Sequence, residues 1–213
     1  MMNKKQMLES VRESLLRFGI GNYEKRILRV MFEVDRKDFV GAEFDKEVYV
    51  DSPLPTEEGQ TISQPSTVAR MLQLLELKDG DRVLEVGAGS GWNAALMGKR
   101  VGRAGRVLGV EVVGSLVRKA QERIRRLGIE NVEIRDGDFR ELEERFNKII
   151  FTAGISGEEQ EKFIIGYARE HLEKGGKLIC PYHVGPLLIL SSFDGKIKKD
   201  YTQEEYQFVP LVL

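Results

Sequence analysis

A run of apolar residues in this chain passes through an acidic residue and ends in three alternating glycines, over residues 83–91 with the sequence VLEVGAGSG. Glycines at this point let the backbone turn sharply and approach a ligand closely, where a Cβ atom would collide. A second apolar run, residues 106–110, leads to Glu111, twenty residues after Gly91. A carboxylate there can accept hydrogen bonds from both hydroxyls of an adenosine ribose. The two runs together predict a site for an adenine nucleoside.

The glycine spacing distinguishes two kinds of nucleoside ligand. Dinucleotide sites carry G-x-G-x-x-G and hold a pyrophosphate at a helix N-terminus, whereas this chain has G-x-G-x-G. Glu85, two residues before the first glycine, would repel a pyrophosphate but suits the cationic ammonium group of S-adenosylmethionine. A tight strand-to-helix turn would explain the glycines alone, but not Glu85 and Glu111 together. We therefore interpret the pattern as the cofactor site of an S-adenosylmethionine-dependent methyltransferase.

Strands and helices are predicted to alternate regularly from residue 82 onward. Strands are predicted at 82–86, 106–110, 132–135, 148–152, 177–181, 187–192 and 207–211, and helices at 91–101, 114–127 and 158–172. This order indicates a mostly parallel sheet with right-handed crossovers. The last two strands flank the turn residues Asp194 and Gly195, so we expect an antiparallel hairpin to close the sheet. The predicted fold is α/β: a Rossmann-like class I methyltransferase fold with a seven-stranded sheet and helices on both faces.

A helical extension is predicted before this core. Apolar residues recur at helical spacing in two segments, residues 7–18 and 27–32, which Gly19 and Gly21 separate. A third helix is predicted to start near Pro65, because proline is favoured at the first helical position.

The stretch from residue 41 to residue 63 shows no sustained periodicity, so we expect it to be a loop on the surface. Loops of that length in compact domains are usually functional or disordered. We expect residues 1–58, the N-terminal helices and a substrate-side loop, to pack on a methyltransferase core over residues 59–213, as a single domain overall.

Ligands of such open sheets lie beyond the carboxyl ends of the strands, near the point where the strand order reverses. Cofactor-binding residues are therefore predicted directly after the strands, at Gly87, Ala88, Gly89, Ser90 and Gly91, at Glu111 and Val112, at Asp138 and Phe139, and at Thr152. Asp138 can accept a hydrogen bond from the adenine amino group, and Phe139 can lie against the ring. Asp138 is also explained as an ordinary turn residue in the sequence Asp-Gly-Asp.

The composition argues against several other classes of protein. A formal net charge of −1 gives no global field that would attract nucleic acid or an anionic membrane. No apolar run approaches the roughly 20 residues that span a bilayer, so we expect a soluble, cytoplasmic protein. With two histidines, His171 and His183, no histidine-rich metal site is predicted. The single thiol, Cys180, lies in an apolar run, where a buried and inert cysteine is expected.

Residues 59–65, with the sequence GQTISQP, resemble the signature of the protein-L-isoaspartate O-methyltransferases, in which G-Q-T-I-S-x-P precedes the G-x-G-x-G loop. Residues 34–40 and 49–55 resemble the segments that lead into that signature. Residues 175–178 and 208–211 resemble the last strands of the family. The similarity extends from about residue 30 to the end of the chain.

The resemblance implies methyl transfer from S-adenosylmethionine to the free carboxylate of L-isoaspartyl, and possibly D-aspartyl, residues in damaged proteins. The methyl ester then cyclises to a succinimide, and its reopening returns some normal aspartate. By similarity, Ser63 is the active-site hydroxyl, and Gln60, Thr61 and Ile62 line the cleft between cofactor and acceptor. Ser63 is also explained as the N-cap of the helix that follows it.

The chain departs from the family pattern where the acceptor should bind, at residues 139–145, 153–157 and 182–185. His183, in the last of these, is a candidate for substrate contact. Two alternatives therefore stay open: the same fold acting on another acceptor such as tRNA, and a non-catalytic protein that binds S-adenosylmethionine. We expect isoaspartyl-containing proteins or peptides as partners, no membrane or nucleic acid, and a monomer or weak oligomer.

Overall fold

The N-terminal third of the molecule consists of helices and one short hairpin. The computed structural model describes residues 2–18, 23–56 and 59–213. The elements of this region are α1 (Lys4–Leu16), α2 (Tyr23–Glu33), β1 (Leu54–Pro55), β2 (Thr61–Ile62) and α3 (Pro65–Leu75). Asn3 caps α1, because its side chain accepts from the Gln6 backbone N–H at 3.0 Å while the Gln6 side chain accepts from that of Asn3 at 2.9 Å. The break predicted at Gly19 and Gly21 lies outside the described residues.

The stretch predicted as a surface loop, residues 41–63, is instead packed partly into the core. Val48 is 1% exposed, and Leu54 and Ile62 face each other in the β1–β2 hairpin with both side chains buried. A buried arginine, Arg36, holds this stretch together through backbone carbonyls. The prediction of a surface position is confirmed for most of the described residues of the stretch, which are exposed or half-buried, and is wrong for Val48, Leu54 and Ile62. The stretch is ordered by a side chain from outside it, which leaves no periodic pattern within it.

The remaining elements build one seven-stranded sheet and its covering helices. In chain order they are β3 (Arg82–Val86), α4 (Trp92–Val101), β4 (Arg106–Glu111), α5 (Gly114–Arg126), β5 (Val132–Asp136), β6 (Phe146–Phe151), α6 (Gly157–His171), β7 (Leu172–Pro181), β8 (Val184–Gly185), β9 (Leu187–Phe193), β10 (Lys196–Tyr201) and β11 (Tyr206–Gln207). The spatial order is β10-β9-β7-β6-β3-β4-β5. Strands β3 to β7 are parallel, and β9 and β10 are antiparallel. The predicted Rossmann-like class I fold is confirmed.

The closing hairpin differs from the prediction in its second strand. The turn at Asp194 and Gly195 joins β9 to β10, whereas residues 207–211 lie outside the sheet. The sequence of β10, KIKKDY, is polar on both faces because this edge strand is almost fully exposed. Lysines on such an edge discourage pairing with another chain. The prediction was wrong because an exposed edge strand lacks the apolar alternation that identifies a strand.

Both faces of the sheet are covered by apolar cores. Val83 of β3 belongs to the core shared with α1 to α5, whereas its neighbour Leu84 belongs to the core beneath α6. Burial on both faces explains why the central strands are continuous apolar runs in the sequence. Among the described residues, no helix has the length and apolarity to cross a bilayer.

Candidate active site

A cleft with a cavity volume of about 260 Å³ lies where the strand order reverses. Strand β3 lies at the centre of the sheet with β4 on one side and β6 on the other, so their carboxyl ends open a crevice. The cleft brings together Gln60, Thr61, Ile62, Ser63, Glu85, Gly87, Ala88, Gly89, Ser90, Glu111, Val112, Asp138, Phe139 and Thr152. Thus every residue predicted to bind the cofactor or to act in catalysis lines it except Gly91, and His183, the candidate for substrate contact, does not line it.

The glycine loop between β3 and α4 provides the floor of the cleft. Gly87 has a φ of 88°, and a Cβ atom there would lie 2.7 Å from the Thr152 hydroxyl oxygen. Thr152 in turn donates its hydroxyl hydrogen to carbonyls of the loop, which ties the end of β6 to it. Gly91 lies behind the cleft, where its φ of 84° starts α4 and a Cβ would lie 3.1 Å from Ala120 on α5. Its role is therefore close helix packing, not contact with the cleft.

Glu85 is a buried carboxylate with unused hydrogen-bonding capacity. It is 1% exposed, and its Oε1 accepts a hydrogen bond from Asn93 Nδ2 at 2.8 Å. Burial, together with the nearby charge of Glu111, raises the pKa of Glu85 to about 8. Within the described residues, Glu85 Oε2 and Asn93 Oδ1 have no hydrogen-bond partner. Two unsatisfied acceptors beside the cleft are complementary to the N–H donors of a cation.

Glu111 orders the loop in addition to its predicted contact with a ribose. One carboxylate oxygen accepts from the Gly89 N–H at 2.9 Å, and the other accepts from the N–H groups of Val112 at 2.9 Å and Val113 at 3.0 Å. These bonds hold the glycine loop against the end of β4. Glu111 therefore shapes the cleft before any ligand is considered.

Asp138 and Phe139 lie at the end of the cleft formed after β5. Asp138 accepts from the Arg140 backbone N–H at 2.9 Å and pairs with the guanidinium of Arg140, which lowers the pKa of the carboxyl. It therefore caps a short 3₁₀ turn, as its interpretation as a turn residue predicted, while still lining the cleft. The Phe139 ring lies 5.2 Å from the rings of Phe151 and Tyr167, edge to face. That ring is consequently part of the core as well as of the wall.

Ser63 lies on the opposite wall, between β2 and α3. It is not the N-cap of α3, because Gln64 occupies that position and Pro65 is the first helical residue. The cap is supplied from a distance by Asp51, whose carboxylate accepts from the Ser66 N–H at 2.8 Å. The alternative explanation of Ser63 as a cap is therefore wrong. Within the described residues, the Ser63 hydroxyl makes no hydrogen bond, and its carbonyl accepts one from Arg36.

The C-terminal segment, residues 209–212, forms a wall of the cleft that was not predicted. The Gly154 N–H donates to the Val209 carbonyl, and the Leu211 N–H donates to the Gly154 carbonyl, both at 2.7 Å. Through these two backbone hydrogen bonds the C-terminal segment pairs with the residues that follow β6. Val68, Met71, Trp92, Asn93, Val110, Val113, Gly137, Arg140 and Ala153 also line the cleft. Of these, Gly137 and Ala153 lie in the predicted clusters 137–139 and 152–155 after the strands, and Trp92 and Asn93, directly after the glycines, had a sequence signal that could have identified them.

The atypical residues at 182–185 lie beside the cleft. Tyr182 donates its hydroxyl hydrogen to Glu161, which also accepts from Tyr201 at 3.0 Å and Lys199 at 2.8 Å. His183 Nδ1 lies 2.6 Å from the Phe208 carbonyl, so that nitrogen carries the hydrogen. The Tyr182 hydroxyl thus joins the loop after β7 to α6 and β10, and His183 joins the same loop to Phe208, directly before the C-terminal segment.

The cleft is acidic around the glycine loop, where Glu85, Glu111 and Asp138 lie, and neutral around Ser63. Of the described residues that line it, Arg140 is the one cation, and it is paired with Asp138. The wall around Ser63 presents hydroxyl, amide and apolar groups. Cys180 lies outside the cleft, fully buried, and burial raises the pKa of its thiol. The described part of the chain contains no cluster of metal-ligating side chains.

Comparison with known proteins gives a consistent result. The family described as protein-L-isoaspartate(D-aspartate) O-methyltransferase matches residues 2–213. A protein-L-isoaspartate O-methyltransferase of Fervidobacterium nodosum is 42% identical over 206 residues, covering 93% of this chain and 98% of the relative. A solved structure named protein-L-isoaspartate O-methyltransferase superposes with a TM-score of 0.79 at 28% identity, over 96% of this chain and 66% of that one. A structure titled as a putative enzyme of this kind from Plasmodium falciparum, in complex with S-adenosyl-L-homocysteine, has a TM-score of 0.75 at 27% identity, over 95% and 97%.

Proposed function

Because the chain belongs to the protein-L-isoaspartate(D-aspartate) O-methyltransferase family, we propose that its cleft performs the family's reaction with Ser63 on the acceptor side and the glycine loop on the cofactor side. The chain is an S-adenosylmethionine-dependent enzyme that methylates isoaspartyl residues in damaged proteins. The observation that carries the proposed site is the convergence of the Ser63 segment and the Glu85 loop on one cleft.

The residues present fit the cofactor. The unsatisfied acceptors of Glu85 and Asn93 match a cationic ammonium group. Gly89 has a φ of 50°, and a Cβ atom there would extend into open space, where, among the described residues beyond its two chain neighbours, only the Gly87 carbonyl oxygen lies within 4 Å. Glu111 would hold the ribose, and Asp138 would hold the adenine amino group. When bound, S-adenosylmethionine supplies a methyl group on a positively charged sulfur.

The residues on the acceptor side would orient the carboxylate that receives the methyl group. An isoaspartyl carboxyl group is ionised at pH 7, so no general base is required. A carboxylate oxygen forms a bond to the methyl carbon as the carbon–sulfur bond breaks, and no proton is transferred. Ser63 and its neighbours Gln60, Thr61 and Ile62 would align that oxygen, a contribution that reaches roughly 7 to 11 kcal/mol in well-oriented reactions.

Methylation of matched substrates tests this function. The purified protein is incubated with methyl-labelled S-adenosylmethionine and, separately, with an isoaspartyl peptide, the same peptide containing aspartate, and tRNA. Base-labile label on the isoaspartyl peptide alone is the expected result. Label on tRNA would identify the alternative acceptor, and cofactor binding without any label would identify a non-catalytic protein.

We also propose where the enzyme acts and in which oligomeric state. We infer a cytoplasmic enzyme that acts as a monomer or weak oligomer on isoaspartyl-containing proteins. A single thiol that is fully buried, and a formal charge of −1, support a protein that relies neither on disulfides nor on charge attraction to nucleic acid.

A further inference from the structure

Arg36 is a fully buried cation outside the cleft. It is 0% exposed, and among the described residues no carboxylate lies within ion-pair distance of it. Bringing an unpaired guanidinium out of water costs several kcal/mol. Burial lowers its pKa to about 10, against the opposing charge of Asp51, so it stays protonated at neutral pH. Such a group needs compensation from hydrogen bonds.

Four backbone carbonyls supply that compensation. Nη1 donates to the carbonyls of Val48 at 3.0 Å and Val50 at 3.1 Å, and Nη2 donates to those of Ser52 at 2.9 Å and Ser63 at 3.2 Å. The first three acceptors precede the β1–β2 hairpin, and Ser63 directly follows it. Arg36 therefore closes the base of the hairpin that carries Gln60, Thr61 and Ile62 into the cleft.

The guanidinium also contacts the cofactor side. Its centre lies 5.5 Å from the centroid of the Trp92 ring, and Trp92 Nε1 donates to the Val34 carbonyl at 3.4 Å. Trp92 is the first residue of α4, directly after the glycine loop, and it lines the cleft. One side chain thus links the wall that carries Ser63 to the helix that follows the cofactor loop.

Lysine cannot make these contacts. Arginine directs its donors from a planar fork, whereas a lysine ammonium has three donors on a flexible stem. With lysine in place of Arg36, at least one of the four carbonyls would lose its partner. We propose that Arg36 is a positioning residue for methyl transfer, which fixes the Ser63 backbone and thereby orients the Ser63 hydroxyl toward the acceptor; this inference rests on the function proposed above.

A double-mutant cycle tests the proposal. Arg36→Lys is measured in the wild-type and Ser63→Ala backgrounds with isoaspartyl peptide as substrate. We expect Arg36→Lys to lower kcat about tenfold when Ser63 is present and less than about twofold when it is absent. The Kd of S-adenosylhomocysteine should stay within about twofold of the wild-type value, because none of the hydrogen bonds of Arg36 goes to the glycine loop. Equal losses in both backgrounds, or a parallel loss of S-adenosylhomocysteine affinity, would overturn the proposal.

Arg100→Lys is the matched control. Arg100 is also buried and donates to a backbone carbonyl, that of Leu77, but it lies near the end of α4, away from the glycine loop. Its replacement should lower the melting temperature without changing kcat. An equal loss of kcat in Arg100→Lys would mean that any buried arginine has this effect, and the proposal would fail.

A measurement on the wild-type protein covers the case in which Arg36→Lys does not fold. The guanidinium ¹⁵N resonances of Arg36 should shift when the isoaspartyl peptide binds the complex with S-adenosylhomocysteine, and not with the aspartyl peptide. Absence of that difference overturns the role of Arg36. If the wild-type enzyme is active and Arg36→Lys causes equal losses of kcat in both backgrounds, this inference alone is overturned. If the wild-type enzyme is inactive on the isoaspartyl peptide, the proposed function is overturned with it.

Discussion

Glu85 is the residue whose protonation state depends most directly on its surroundings. A buried carboxylate with one hydrogen bond and a second carboxylate nearby holds a proton more tightly than it would in water. A cation bound beside it has the opposite effect, because it stabilises the ionised form. The protonation state of Glu85 therefore affects both the pH dependence of folding stability and the proposed contact with the ammonium group.

We expect Glu85→Gln to stabilise the ligand-free protein at alkaline pH. The folded-state pKa of Glu85, about 8, lies above its usual value of 4.5, so its stabilising contribution is complete below 4.5 and is lost as the pH rises through 8. The free energy of unfolding of Glu85→Gln minus that of the wild type should therefore increase across this range, by at most about 1.4 kcal/mol per pH unit. Urea denaturation at several pH values measures this difference. Glu122→Gln, at an exposed position of α5, is the control. A difference that does not change with pH would contradict the raised pKa of Glu85.

Ser63 is expected to act on the rate and not on the cofactor. Ser63→Ala should lower kcat about tenfold, because alignment of the acceptor contributes to the barrier, while the Kd of S-adenosylhomocysteine stays within about twofold. Steady-state kinetics with isoaspartyl peptide and calorimetric titration measure the two quantities. Ser66→Ala, three residues further along and outside the cleft, is the control. If cofactor affinity fell as much as kcat, Ser63 would belong to the cofactor site.

Among the elements, helix α3 is capped at its N-terminus by a residue that is distant in the sequence. Neither Gln64 nor Ser63 caps the helix with a side chain. Asp51 does so across the hairpin, and Gln64 Nε2 donates to its other oxygen at 3.2 Å. The position of the Ser63 wall thus depends on both Arg36 and Asp51.

Asp51→Ala should lower the free energy of unfolding by about 1 kcal/mol, because it removes a cap and a negative charge from a helix N-terminus. Asp51→Asn should retain part of this contribution, since its amide oxygen can still accept the Ser66 N–H. Urea denaturation gives the values. Asp45→Ala, which breaks an exposed pair with Lys37, serves as control and should cost less than about 0.5 kcal/mol. A loss for Asp51→Ala no larger than the control would refute the capping role.

At the scale of the whole molecule, the cleft joins three distant parts of the chain. Ser63 comes from the N-terminal region, Glu85 from the central strand, and residues 209–212 from the C-terminal segment. Trp92, the single tryptophan of the chain, is 1% exposed and lines the cleft. A ligand that fills the cleft should therefore stabilise the entire fold and change the fluorescence of this residue.

S-adenosylhomocysteine at about 100 times its Kd should stabilise the protein by about 2.7 kcal/mol. For a domain of this size that corresponds to a rise in melting temperature of about 5 to 10 °C. Thermal denaturation followed by Trp92 fluorescence measures it. NAD at the same concentration is the control, because the glycine spacing and Glu85 disfavour a pyrophosphate. Equal stabilisation by NAD would contradict the cofactor assignment.

The sequence by itself determined the central sheet and the half of the cleft around the glycine loop. Strands β3 to β6 and the glycine loop are local: an apolar run, its length and the residues at its end lie within a few positions of one another. Glu85 and Glu111 lie at the carboxyl ends of β3 and β4, and Asp138 comes two residues after β5, so the rule that parallel strands end at one edge was enough to bring them together.

The family resemblance had already indicated Gln60, Thr61, Ile62 and Ser63. Only the tertiary structure decided how this wall is held, what completes it, and which strand closes the edge of the sheet. Strand β10 is polar because its surroundings are solvent, and the C-terminal segment pairs with Gly154 through backbone atoms that any sequence possesses. Arg36 and Asp51 act on residues that are 12 to 27 positions away in the chain. Hydrogen bonds to backbone carbonyls and N–H groups leave no mark in the sequence of the segment that provides them, so the contacts that support the Ser63 wall became visible only once the chain was folded.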